Sequence, residues 1–450
     1  MRGCCLGPLL LAALIFPGGL RLNSQTSATG CSTPSFAAPH SFASGALPQF
    51  LALGEFNGDR APDLVITTIA PSRIAILLGN RDGTFRAGPV HQLGEGLQPV
   101  AVGDFDGNGK MDLAVVNYGA SKVYILLGNG DGTFQNSGSY AVGRGANSVV
   151  VADFNGDGRS DLAVPGSDGS MLIGNGDGTF QNAVNLRAGV APLSLAVDDI
   201  NGDHIPDLVV VVNSDSGFLG SAGVLLGKGD GTFGELIRVT SSLSSSVATG
   251  DLNGDSNSDL AAIQKQGVFV ALRNGAKDDD SFLDGRLYDF GQALQAMSIK
   301  DFNGDGKPDL ALANASSSDG TVMVALGNGD GTFRDAASFA VPGIPYALVV
   351  GDFNGDASPD LAMASNTGVV AVLLNLCTST TQARLAILQD NAGITLSWPA
   401  SFGNYVLKST SSLSSPTWQP VPGAAITRGD RLQVIAPISS RQEYFRLSEP

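Results

Sequence analysis

The sequence predicts an all-β chain: a seven-bladed β-propeller closed by its N-terminal strand, followed by a small β-sandwich. Three observations predict it. A nine-residue acidic loop pattern recurs seven times. Its copies start 49, 49, 46, 52, 50 and 51 residues apart, which is a propeller-blade period. Between the loops, short apolar runs alternate with Gly-rich turns at strand spacing and leave no room for helices. With 450 residues, 43% apolar and 15% charged, the chain has material for a large core.

The N-terminus reads as an export signal spanning residues 1–28. Met1-Arg2-Gly3 precedes an apolar run from Leu6 to Phe16, then Gly18-Gly19 and a polar stretch with small residues at Thr26 and Ala28 that suit peptidase cleavage. The run is too short to span a bilayer, and no later segment is a transmembrane candidate. Cys4 and Cys5 fall inside this leader, so a mature chain keeps Cys31 and Cys377, an even pair in an oxidising compartment. Ala28-Thr29-Gly30-Cys31 also has the outline of a lipid-attachment box, though it lies far from the apolar run.

The loops align without gaps. Their side-chain oxygens sit at positions 1, 3, 5 and 9: Glu55, Asn57, Asp59 and Asp63; Asp104, Asp106, Asn108 and Asp112; Asp153, Asn155, Asp157 and Asp161; Asp199, Asn201, Asp203 and Asp207. The remaining three are Asp251, Asn253, Asp255 and Asp259; Asp301, Asn303, Asp305 and Asp309; and Asp352, Asn354, Asp356 and Asp360. An apolar run precedes each loop (Val149-Val150-Val151), a second follows it (Leu162-Ala163-Val164), and a third ends in a turn. That turn is Asp-Gly-Thr-Phe at Asp82, Asp131, Asp177, Asp230 and Asp330 and leads into a fourth strand such as Ser139 to Val142, so one period makes one four-stranded blade.

This pattern resembles the FG-GAP/VCBS repeat family, whose best-known members form the N-terminal propeller of integrin α chains. The resemblance covers residues 31–377 and implies a seven-bladed propeller. The seventh copy has three strand-like runs and no Asp-Gly-Thr-Phe, whereas Phe36 to Phe42 forms an orphan strand-like piece upstream of the first loop. Pairing the two closes the ring and removes exposed sheet edges. Cys31 and Cys377 then become neighbours, and a disulfide between them locks the seam.

The loop chemistry points to calcium. A hard cation taking six to eight oxygens needs a chain that curls around it; Gly at position 4 permits the bend, and position 7 adds a backbone carbonyl, that of Lys110 in the second loop. Turn preference alone accounts for Asp, Asn and Gly in one copy but not for the same residues in seven. Three carboxylates per loop take up 21 of the 42 acidic residues, and seven divalent ions offset 14 of the 16 excess negative charges. Loops 104–112, 153–161 and 301–309 carry Gly at position 6 and are expected to bind tightest. The Asp of Asp-Gly-Thr-Phe is read as turn chemistry, and His40, His91 and His204 as surface or strand residues.

Residues 378–382 read as a Thr/Ser linker. Residues 383–450 show short alternating strands, among them Ile394 to Trp398 and Tyr444 to Leu447, which fit a small β-sandwich. This part looks like the fibronectin-III-like C-terminal modules of secreted bacterial proteins.

Function is expected to be non-catalytic binding or adhesion at the cell surface or outside the cell. The formal charge of −16 with no Lys/Arg cluster excludes nucleic acid, and no nucleophile elbow or histidine metal pattern is present. The alternatives are an extracellular enzyme on polysaccharide, since a carboxylate pair suffices for a glycosidase, and a carbohydrate-binding lectin. The acidic loops and the Asp-Gly-Thr-Phe turns share one face of the ring. The irregular connections on the other face are the expected binding surface for a protein or glycan ligand, with Phe218 and Leu219 in the longest of them as candidate contacts.

Overall fold

The computed structural model describes residues 31–377 except 45, 70, 168, 187–191, 213–220, 241–243, 274–280, 284, 292 and 317–319, together with segments 11–16, 19–24, 386–390, 393–399, 406–410, 419–421, 426–428, 431–436 and 444–448. The chain divides into two units, Cys31–Thr378 and a second formed by Met1–Gly30 with Ser379–Pro450. Among the described residues every regular element is a strand, and no helix is long and apolar enough to cross a membrane.

The larger unit is a propeller of seven four-stranded antiparallel sheets. The first blade is Pro48–Gly54, Asp63–Ile69, Ser72–Gly79 and Phe85–His91. Five more follow in the same sequential order, and the first strands touch their neighbours around a closed ring, so they line the axis. The seventh blade consists of Pro345–Gly351, Asp360–Ser365 and Val369–Leu373, completed by His40–Ala43 from the N-terminal end. In that pairing His40 lies opposite Val372 and Ala43 opposite Val369. The closing strand begins later than the expected Phe36, because Pro39 has no N–H for the ladder; Phe36 keeps an isolated bridge to Asn375.

Each second strand is buried on both faces, as in Asp207–Val212, which explains its unbroken apolar run. The core lies between blades. Leu51, Leu64, Ile66 and Leu77 of the first blade pack against Phe353, Ala362 and Val370 of the seventh; Phe56, Ile76 and Leu78 of the first pack against Leu113, Val115 and Phe134 of the second.

The smaller unit contains two sheets. One joins Ala386–Asp390, Gly393–Pro399, Arg431–Ala436 and Ile426–Arg428. The other joins Val406–Thr410 to Tyr444–Ser448 and Gln419–Pro420, and includes a hairpin of Leu11–Phe16 and Gly19–Ser24 that meets it where Leu11 pairs with Phe445. Residues 378–382, read as the linker, lie outside the described residues.

Candidate metal centre

Each acidic loop connects the first and second strands of a blade, and its side chains fold the backbone around themselves. In the second loop Asp104 accepts the N–H groups of Gly107, Asn108 and Gly109, Asp106 accepts that of Asn108, and Asn108 accepts that of Lys110. The third, fourth, fifth, sixth and seventh loops repeat these contacts, and in each of them the Asn at position 3 also donates to the Asp at position 5, as Asn155 does to Asp157. The turn needs left-handed backbone at positions 4 and 6, for example φ 72° at Gly107 and 79° at Gly109. At position 6 four loops place a residue with a Cβ there instead: Arg60, His204, Ser256 and Ala357, all at φ 65–69°.

The first loop is the odd one. Glu55, one methylene longer, accepts from Asn57, Gly58 and Asp59 through one oxygen, and the buried Nδ2 of Asn57 has no partner.

The Asp at position 9 is fully buried in all seven loops. One oxygen of Asp112 accepts the N–H of Phe105 at position 2; the other accepts that of Gly128 at the end of the third strand, both at 2.7 Å. The same clamp recurs at Asp63, Asp161, Asp207, Asp259, Asp309 and Asp360. Burial pushes these carboxyls up, to about 7 for Asp309 and about 6 for Asp63, Asp207, Asp259 and Asp360. The two N–H groups oppose that rise, and acidic neighbours in the same loop add to it.

In the second loop Asp104, Asp106 and Asp112 each bring one carboxylate oxygen within 4.8 Å of the others, the one such cluster among the described residues. That donor set fits a hard divalent cation, since oxygens at about 2.3–2.6 Å from one ion lie within about 5 Å of one another. The hydrogen bonds do not exhaust it, because an ionised carboxylate has about four acceptor sites. The second loop stands apart because its position 3 is Asp106, where the others have Asn.

Sequence reasoning missed how the two motifs meet. The Gly N–H of each Asp-Gly-Thr-Phe turn donates across the blade boundary to the position-2 carbonyl of the preceding blade's acidic loop: Gly132 to Phe56, Gly178 to Phe105, Gly231 to Phe154, Gly331 to Leu252 and Gly83 to Phe353. At the seam, where the seventh blade lacks that turn, the Asn375 side chain donates to the Phe302 carbonyl instead. The turn Asp itself accepts the N–H and hydroxyl of its own Thr, as Asp131 does from Thr133, and the Thr hydroxyl holds its carboxyl below the usual range.

Cys31 and Cys377 form a disulfide across the seam with Cα atoms 5.9 Å apart, and the Cys31 N–H donates to the Asn303 carbonyl of the sixth loop. The histidines form no cluster among the described residues: His204 is 95% exposed beside Asp199, His91 packs on Phe134, and His40 is in the closing strand. Phe218 and Leu219 lie outside the described residues.

A closed ring of seven blades, with six of the acidic turns bonded to a neighbouring blade among the described residues, defines a repeat propeller of the acidic-loop type. The FG-GAP-like repeat profile matches residues 55–115, 104–164, 199–262 and 301–363, more than half of the chain, and the FG-GAP repeat profile matches 145–184. The chain belongs to the FG-GAP repeat family. No curated protein matches it. Among solved structures it is similar to BBS1N in a complex with ARL6DN, at 15% identity and TM-score 0.55, covering 77% of this chain and 99% of that one. It is also similar to an Agrocybe aegerita lectin that recognises non-reducing terminal N-acetylglucosamine, at 20% identity and TM-score 0.51, covering 80% and 96%. At these identities the likeness is one of fold.

Proposed function

We propose that this chain is an exported, calcium-binding propeller that acts as a non-catalytic binding or adhesion protein for a protein or glycan outside the cell. The observation that carries the reading is the convergence of Asp104, Asp106 and Asp112. Asp104, Asp106, Asn108, the Lys110 carbonyl and Asp112 would hold the ion, which would neutralise carboxylates that otherwise repel one another in a half-buried turn. The other six loops share the frame, with Asn at position 3 and an acid at position 5. The seam disulfide supports an oxidising compartment. Because the ions would brace loops on one face, binding is assigned to the connections on the other. The similar Agrocybe aegerita lectin recognises non-reducing terminal N-acetylglucosamine, which supports keeping a glycan among the ligands.

The test is to challenge the calcium-loaded chain with extracellular protein extract, a glycan panel and soluble polysaccharides. The reading predicts saturable binding that a chelator reduces, without turnover. Cleavage of any polysaccharide would replace it with the enzyme alternative.

A further inference from the structure

The innermost strand of six of the seven blades carries a repeated irregularity at its other end. Five residues before the strand position that pairs with the buried Asp, the ladder slips by a β-bulge: between Pro48 and Phe50, Leu97 and Val100, Ser244 and Ser246, Leu294 and Ala296, and Pro345 and Ala347. The bulged residues at this offset are Gln49, Gln98, Ser245, Gln295 and Tyr346. The fourth blade has the same slip, between Pro192 and Ser194, with Leu193 at the bulge. In the third blade the ladder begins three residues later, at Val150, and Asn147 occupies the equivalent position.

The innermost strands run from this end toward the acidic loops, and they line the axis. The seven positions therefore ring the axial opening on the face away from those loops. The preceding residues Pro48, Leu97, Ala146, Leu294 and Pro345 are buried, while Ser245, Gln295 and Tyr346 are exposed and Gln49 and Asn147 half-buried. Bulges re-aim side chains and cluster at functional sites. Among the described side chains, Gln49, Asn147, Gln295 and Tyr346 each follow a buried neighbour at this end of the strand.

The composition of that ring is uniform in kind. In a chain with 42 acidic and 26 basic residues, none of the seven positions carries a charge: three are Gln, one Asn, one Ser, one Tyr and one Leu. Each amide offers two donors and an acceptor, and the carbonyl oxygen of Asn147 is buried with no hydrogen-bond partner. Tyr346, 37% exposed, offers a ring face. An ionic ligand would find no counter-charge at these seven positions. Vicinal hydroxyls match side-chain amides that donate and accept at once, and the C–H face of a sugar ring stacks on an aromatic.

We infer that the axial mouth opposite the acidic loops is a binding site for an uncharged glycan, held by Asn147, Gln295 and Tyr346. The inference rests on the binding-protein reading above and names its site and ligand class.

The calcium-loaded full chain is applied to an array of neutral oligosaccharides ending in hexose, N-acetylhexosamine or pentose, beside sulfated and sialylated ones. The native chain is expected to retain neutral glycans only. Gln295→Ala and Tyr346→Ala should each weaken that binding by about tenfold or more, with the thermal midpoint in calcium unchanged. Arg334→Ala, just after an Asp-Gly-Thr-Phe turn on the opposite face, should leave it intact. Retention of no neutral glycan, or retention unaffected by both ring substitutions, overturns the site. If calcium-dependent binding of another ligand then persists, the propeller reading stands without the site; if calcium no longer affects the native chain at all, that reading fails independently.

Discussion

The N–H of Gly132 donates to the carbonyl oxygen of Phe56 at 2.7 Å, and this bond joins the turn of the second blade to the acidic loop of the first. The Phe56 N–H is held from the other side by Asp63, so one peptide segment is fixed both within its blade and to the next. Its ring stands edge-on to Phe134, with centroids 5.4 Å apart. Equivalent pairs are Phe105 with Phe180, Phe154 with Phe233, and Phe353 with Phe85. Acidic loop, turn and aromatic pair thus form one inter-blade joint.

Coupling across that joint is measurable. Phe56→Ala and Phe134→Ala should each cost about 3–5 kcal/mol as buried aromatic truncations. The double variant should cost less than their sum by about 0.5–1.5 kcal/mol. Urea unfolding of the four chains checks it, and full additivity would mean that the rings pack independently.

The buried carboxyls make the calcium-free protein sensitive to pH. Their folded values, about 6 to 7 at the five sites Asp63, Asp207, Asp259, Asp309 and Asp360, lie above the ordinary 3.8, so the folded state binds more protons in this window. Their contribution to stability is therefore present below pH 3.8 and lost as pH rises through 6 to 7. In chelator, the thermal midpoint should fall between pH 5 and pH 8; in calcium, which favours the ionised form, that fall should shrink or reverse. Parallel melts at the two pH values read both signs.

At position 6 of the loops, Ala357 sits at φ 67°, where a Cβ is strained. Nothing lies within 4 Å of a Cβ built at the equivalent Gly109, Gly158 and Gly306, so the demand for glycine there is one of backbone conformation and not of space. Ala357→Gly should raise stability by about 0.5–1 kcal/mol, the strain relieved exceeding the entropy that glycine adds to the unfolded chain. A lower urea midpoint would mean that the loop accommodates the strain.

The seam is closed covalently by Cys31 and Cys377, 346 residues apart in sequence. Replacing both by Ala should destabilise by up to about 5 kcal/mol on chain-entropy grounds. It should also expose the His40–Ala43 strand to hydrogen exchange before the strands of the second blade, because that strand is held by one neighbour alone. Simultaneous exchange of the two would place the weak point elsewhere.

Much of this was readable in the sequence because the repeat multiplies each signal. Seven Asp residues at position 9, seven glycines at position 4 and an orphan strand before the first blade fix the blade number, the turn and the closure. The joint was not readable, because the bond from Gly132 to Phe56 runs between backbone atoms. One clue stood in plain view: glycine recurs at the end of the third strand, at Gly79, Gly128, Gly174, Gly227 and Gly327. A Cβ on Gly128 would lie 2.2 Å from the Met111 carbonyl, which leaves its N–H free to reach Asp112. The axial ring is not legible in the sequence because the side chains at that offset differ from blade to blade, and the backbone slip found there in six blades has no residue signature.

The central claim is that calcium stabilises the acidic loops, and calorimetric unfolding at pH 7.5 in excess calcium and in excess chelator tests it most directly. Mass action predicts a higher midpoint with calcium, by an increment that grows with free calcium and shrinks when Asp106→Ala removes one of the three convergent carboxylates of the second loop. Identical midpoints for the native chain in the two buffers would contradict it.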